Sequence, residues 1–127
     1  MDAKDLRIGN LIIRQDLGTG EPRIETVLEL RKDKVFTSGP LTVVCDYEDL
    51  NPVPLTDEWL FKLGFTKVKN GIELDCGNGI KINSLFTGKP LTLEVYGMRS
   101  PLYDISSVHH LQNLYYAINQ KELIRKN

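Results

Sequence analysis

The sequence predicts an α+β protein: a small N-terminal SH3-like β-barrel or curled sheet, followed by an antiparallel β-meander packed by two helices. Three observations point there. Short apolar runs broken by Gly, Pro and Asn turns fill the first third of the chain. A capped helical segment follows the extended stretch Asn51-Pro52-Val53-Pro54. Near the end, one segment carries apolar residues at a helical period.

The first strand spans Leu11 to Arg14, entered by the Gly9-Asn10 turn. The loop Asp16 to Pro22 leads to a longer strand, Arg23 to Arg31. There Ile24, Thr26, Leu28 and Leu30 share one face and Glu25 and Glu29 the other, the period of a half-buried strand. Lys34 to Ser38 and Leu41 to Asp46 read as two more strands, separated by Ser38-Gly39-Pro40.

Asn51 to Pro54 is extended, because each Pro disfavours helix at the residue before it. It marks the boundary between a half covering residues 1–55 and one covering 56–127, unless the two share one core. Thr56 is a good N-cap, since its hydroxyl can accept from an orphan backbone N–H. Asp57 and Glu58 suit the positive end of the helix dipole. Leu55 and Leu60 stand at the two positions of a hydrophobic staple, and Gly64 fits the residue just past the helix end. Trp59 reads as core beside Leu60 and Leu63.

Turns then organise the meander. Asn70-Gly71 is a two-residue hairpin signal, because a type I′ turn needs positive φ at both central positions. Gly77-Asn78-Gly79 leads into Ile80 to Leu85, and Thr87 to Pro90 into Leu91 to Tyr96. Lys67 and Lys69 interrupt the alternation of the first meander strand. Leu91, Leu93 and Val95 alternate with Thr92, Glu94 and Tyr96, so the sheet is expected to be covered on one side only.

The cover is the last helix, Val108 to Asn119, capped by Ser106 or Ser107. Val108, Leu111, Leu114, Tyr115 and Ile118 fall within an arc of roughly 120°. His109, Gln112, Asn113 and Tyr116 gather on nearly the opposite side. The tail from Gln120 is charged apart from Leu123-Ile124, and fraying is expected.

Composition narrows the function classes. The chain has 127 residues, 16 Lys+Arg against 17 Asp+Glu, 41% hydrophobic and 26% charged. This is the make-up of an ordinary globular protein, and a net charge of −1 argues against a polyanion binder that works by bulk charge. No secretory signal or membrane-spanning run is visible, so a cytoplasmic protein without membrane contact is expected. Cys45 and Cys76 follow the apolar alternation of their strands and read as buried, reduced thiols.

Candidate chemistry is sparse. The neighbouring His109 and His110 diverge by about 100° on a helix and cannot readily share a metal ion. Ser106 or Ser107 with His109 and Asp104 matches a nucleophilic triad in composition only, without the strand-turn-helix elbow such a serine needs. Asp46, Glu48 and Asp49 could offer oxygen ligands to a hard cation, but a solvated loop explains them as well. Gly18-Thr19-Gly20 lacks the Lys-Ser/Thr ending of a phosphate-binding loop. Neither a catalytic residue, a metal nor a cofactor is expected.

Charge is segregated along the chain. Residues 1–55 carry 7 basic and 10 acidic side chains, and residues 56–127 carry 9 and 7. Lys67, Lys69, Lys81, Lys89, Arg99, Lys121, Arg125 and Lys126 could form a weak basic surface for nucleic acid. His109, Gln112, Asn113 and Tyr116 present directional donors and acceptors with an aromatic plane, a set suited to recognition; solvation or pinning to a neighbouring loop would explain it equally.

Three segments, LRIGNLI (6–12), PVPLTDEWLFKLGF (52–65) and VHHLQNLYYAINQKEL (108–123), carry a resemblance. Together they resemble a family of small proteins encoded in Bacteroidetes genomes, often in prophage or mobile-element neighbourhoods. The family form of the last segment reads approximately V-H-x-L-Q-N-L-Y-F-A-L-T-G-x-E-L, and Asn119-Gln120 stands where that form has Thr-Gly. No activity, catalytic residue or ligand comes with the resemblance. It implies a phage or mobile-element accessory role rather than a metabolic enzyme. The expected function is a non-enzymatic protein-interaction module whose partner is an unidentified protein or a second copy of the chain. The alternative is weak nucleic-acid binding.

Overall fold

The computed structural model describes residues 1, 3–15, 21–39, 43–84 and 90–126. The loop 16–20 with its Gly18-Thr19-Gly20, Leu41 and the turn 87–89 with Lys89 lie outside the described residues, as does Leu85. By internal packing the chain forms two units, Met1–Pro54 with Ser107–Asn113, and Leu55–Ser106 with Leu114–Asn127.

The first unit is a curled five-stranded antiparallel half-barrel. Its strands are β1 (Leu11–Gln15), β2 (Pro22–Leu30), β3 (Val35–Thr37), β4 (Val43–Cys45) and β5 (Leu50–Asn51), in the order β4-β3-β2-β1-β5. Its concave side holds Leu6, Ile12, Val27, Val35 and Leu50, with Met1, Leu30, Cys45 and Tyr47 packed against them. The expected facing of β2 is inverted. Glu25 and Val27 are buried, whereas Ile24 and Leu28 are exposed. A bulge between Val27 and Glu29 explains how Leu30 still returns inward, because two residues there oppose one on β3.

The second unit begins with α1 (Asp57–Lys62). Thr56 accepts from the Trp59 N–H at 3.3 Å, as its capping position predicts. Gly64, at φ +100°, ends the helix in a Schellman motif: its N–H donates to Phe61 O and that of Phe65 to Leu60 O. Trp59 is half-buried rather than core, with the Lys62 ammonium 4.9 Å and the Arg125 guanidinium 5.9 Å from the ring centroid.

The meander follows as β6 (Thr66–Val68), β7 (Gly71–Gly77), β8 (Ile80–Ser84), β9 (Leu91–Val95) and β10 (Met98–Leu102), in sequential order. Val68 pairs with Gly71, so the first turn is centred on Lys69-Asn70, one residue earlier than Asn70-Gly71. Asn78-Gly79 does make the tight turn with both φ positive, at 55° and 79°. Tyr96-Gly97 makes another, at 48° and 86°, and opens β10, which sequence reading missed.

α2 (Val108–Asn119) belongs to both units, its first six residues to the half-barrel and the rest to the meander unit. Its end is formed as a glycine would form it. Gln120 adopts φ 58° and donates its N–H to Tyr116 O, the αL motif. The tail does not fray: Leu123 is buried and the Lys126 N–H donates to Lys62 O.

Candidate interaction surface

The four helical residues expected to face a partner do not form a free face. His109 and Gln112 are each 2% exposed, and Asn113 and Tyr116 are half-buried. The reason is a clasp between the start of the chain and the start of α2. Gln112 Oε1 accepts from Leu11 N at 2.8 Å, and Gln112 Nε2 donates to Gly9 O at 3.4 Å. Bonding to residues i and i+2 of one strand is what a parallel strand neighbour does, so this side chain extends the ladder of β1. Asn113 Oδ1 accepts from Arg7 Nε at 3.0 Å and from the buried Asn10 Nδ2 at 2.9 Å, while Asn113 Nδ2 donates to Asp5 O. Arg7 Nη2 adds a bond to Gln112 O. Pinning, not solvation, accounts for Gln112 and Asn113. It also joins two of the quoted segments, LRIGNLI and VHHLQN.

His109 shares a hydrogen bond with Ser107, Nδ1 to Oγ 3.1 Å, and its ring centroid lies 4.3 Å from that of His110. Burial and the neighbouring His110 depress its pKa to about 4, against a small opposing pull from Asp5. Ser107 is also 2% exposed, so this Ser-His pair is closed to substrate. Asp104, the third member suggested by composition, is exposed. Burial raises the thiol pKa of Cys45, and burial with Asp75 raises that of Cys76 to about 11, so both thiols are poor nucleophiles at neutral pH.

A different polar group occupies the half-barrel. Arg14, from β1, makes a bidentate pair with Glu25 of β2: Nε to Oε1 and Nη2 to Oε2, each 2.9 Å. The Thr37 hydroxyl of β3 donates to Oε1 at 2.6 Å. Arg14 is 7% and Glu25 3% exposed. Burial pushes the Glu25 pKa up, but the bonds from Arg14 and Thr37 and the Arg14 charge outweigh it, leaving the carboxyl below its ordinary value. Arg14 also borders a shallow cleft of about 300 Å³ with Cys45, Glu48, Asp49 and Asn51. Asp46 is paired with Lys34. Among the described residues no group of three ligating side chains could hold a metal ion.

The inverted β2 leaves apolar side chains exposed on the outer side of the half-barrel. Ile24 is 37%, Leu28 44% and Val44 50% exposed. Ile13 stands opposite Ile24, and Phe36 opposite Val44, on the same outward side. The Arg31 guanidinium sits 4.8 Å over the Phe36 ring, and its Nε bonds Glu29. The alternating pattern of β2 was visible in the sequence, but which face turned inward was not.

Compared with family models, with curated proteins and with solved structures, the chain finds no match. Among the described residues no helix is long and apolar enough to cross a membrane.

Proposed function

We propose that the protein is a non-enzymatic protein-interaction module whose docking surface is the outward face of β1–β4. The resemblance of its three segments supports an accessory role in a phage or mobile element. The observation that carries the reading is the inversion of β2, which turns Glu25 inward and leaves Ile24 and Leu28 in water. Exposed apolar side chains gathered on one side of a sheet are costly to keep in solution and are characteristic of contact surfaces. Ile13, Ile24, Leu28, Phe36 and Val44 supply its apolar centre, and Arg31 and Glu29 a polar rim, the usual anatomy of such a surface. A protein partner fits better than a small molecule because a sheet face offers area rather than enclosure.

A photoreactive benzophenone side chain at position 28 or 44 tests this in cells that express the partner. Discrete higher-mass adducts from both positions, absent with the probe at Asp75 or Arg99, support the reading. No adduct from the half-barrel face, or equal adducts from the meander positions, overturns it.

A further inference from the structure

The meander unit carries a cation-rich aromatic site of a different character. Trp59 is the single tryptophan of the chain. Lys62 reaches it from the next turn of α1, and Arg125 reaches it from the C-terminal tail. The tail is held there by the Lys126 N–H donating to Lys62 O at 2.6 Å. The Lys126 side chain meanwhile lies beside Gly64, where a Cβ would stand 3.4 Å from its Nζ. Lys62 also pairs with Glu58 at 3.3 Å, an exposed contact that water weakens. Among the described residues neither Arg125 nor Lys126 has a carboxylate partner.

The other cations of this unit are placed differently. Lys81 is paired with Glu73 and Arg99 with Glu94, so the expected broad basic surface is partly neutralised. Lys67 and Lys69 are exposed and belong to β6 and its turn. What survives as a cluster is Lys62 and Arg125 at one indole, with Lys126, next to Arg125 in the chain, beside Gly64 at the end of the same helix.

We infer that Trp59, Lys62, Arg125 and Lys126 form a contact site for single-stranded nucleic acid. Two cations at the ring and a third at the end of the same helix can meet consecutive backbone phosphates, and the half-buried indole between Lys62 and Arg125 supplies the aromatic plane that unpaired bases stack on. A duplex hides its base faces and would use the charges alone. An anionic membrane would share the charges, but α1 has only six residues and the tail beyond α2 is not helical, so no amphipathic helix lies there to enter the interface.

Because the chain has one tryptophan, its fluorescence reports on this site directly. Titration of the full chain with oligo-dT should quench Trp59 emission, with a log–log salt slope of about −2 for three phosphates on a single strand. Arg125→Ala with Lys126→Ala should weaken binding about tenfold and cut the slope to about −0.7. Lys67→Ala with Lys69→Ala, an equal loss of charge, should leave both unchanged, and unaltered far-UV circular dichroism shows that each variant is folded. Absence of quenching, or equal weakening by the two double variants, overturns the site. An equal response to duplex DNA, to heparin or to vesicles rich in phosphatidylserine overturns the assignment to single strands.

Discussion

In the meander, Ile80, Ile82 and Leu93 share one side of β8 and β9, while Lys81, Glu94 and Arg99 occupy the other, with their charges paired near water. In the half-barrel, β2 does the reverse. Its carboxylate goes inward to Arg14 and its isoleucine outward. Both strands alternate with the same period, so period alone does not decide which face is covered. What decides it in the half-barrel is that Arg14 and Thr37, on neighbouring strands, satisfy Glu25 from both sides. A slip of β2 by one residue would break that trio and turn every side chain over, so the buried pair specifies register as much as it stabilises.

The largest expected effect breaks this contrast at its centre. Glu25→Ala leaves the Arg14 guanidinium buried without its carboxylate and should cost about 3–5 kcal/mol in urea unfolding. Glu25→Leu combined with Arg14→Met should be far milder, because both charges leave together. Truncating Glu94, whose partner Arg99 is exposed, should cost only about 0.2–1 kcal/mol. Equal losses at Glu25 and Glu94 would show that the two faces are not energetically different.

Acid sharpens the contrast, since the half-barrel unit contains two shifted groups with separate windows. His109 is neutral in the fold, with a pKa of about 4, whereas the unfolded chain takes up its proton near 6.5. The unfolded state therefore binds more protons between these values. Stability is full well above pH 6.5 and falls as pH drops through 6.5 to below 4, by about 3 kcal/mol in all. His109→Gln should flatten this window when denaturant midpoints are compared at pH 7.5 and 5. Glu25 acts in the opposite ionisation sense and lower. Its lowered pKa gives stability that is present above its ordinary value and is lost as pH falls through the folded one.

The smallest effect lies at the end of α2. Gln120→Gly relieves a left-handed backbone that a side chain disfavours and should stabilise by about 0.5–1 kcal/mol, read as a raised thermal midpoint. A loss would mean that the Gln120 side chain contributes more than its backbone costs.

Local chemistry was the legible part of this molecule. Thr56, Gly64 and Asn78-Gly79 act through atoms a few residues away, and the structure uses each as its pattern predicts. β10 was overlooked because Tyr96 seldom takes positive φ; Gly97 beside it was the available cue. The buried face of β2 and the polar flank of α2 were illegible for a different reason. The partners of Glu25 sit on two other strands, and Gln112 bonds backbone at Gly9 and Leu11, which no spacing rule reveals. Burial of a polar residue depends on who satisfies it, and here that is set by topology.

The Gln112 carboxamide has one further consequence. A strand flank with open amides and carbonyls invites a neighbouring chain to pair with it, the usual first step of edge-to-edge aggregation. On β1 that flank is taken at Ile13 and Arg14 by β5 and, upstream, by one side chain arriving from a helix. A single glutamine thus serves as the missing length of a two-residue strand, and the barrel can stay half open without offering that margin to its copies.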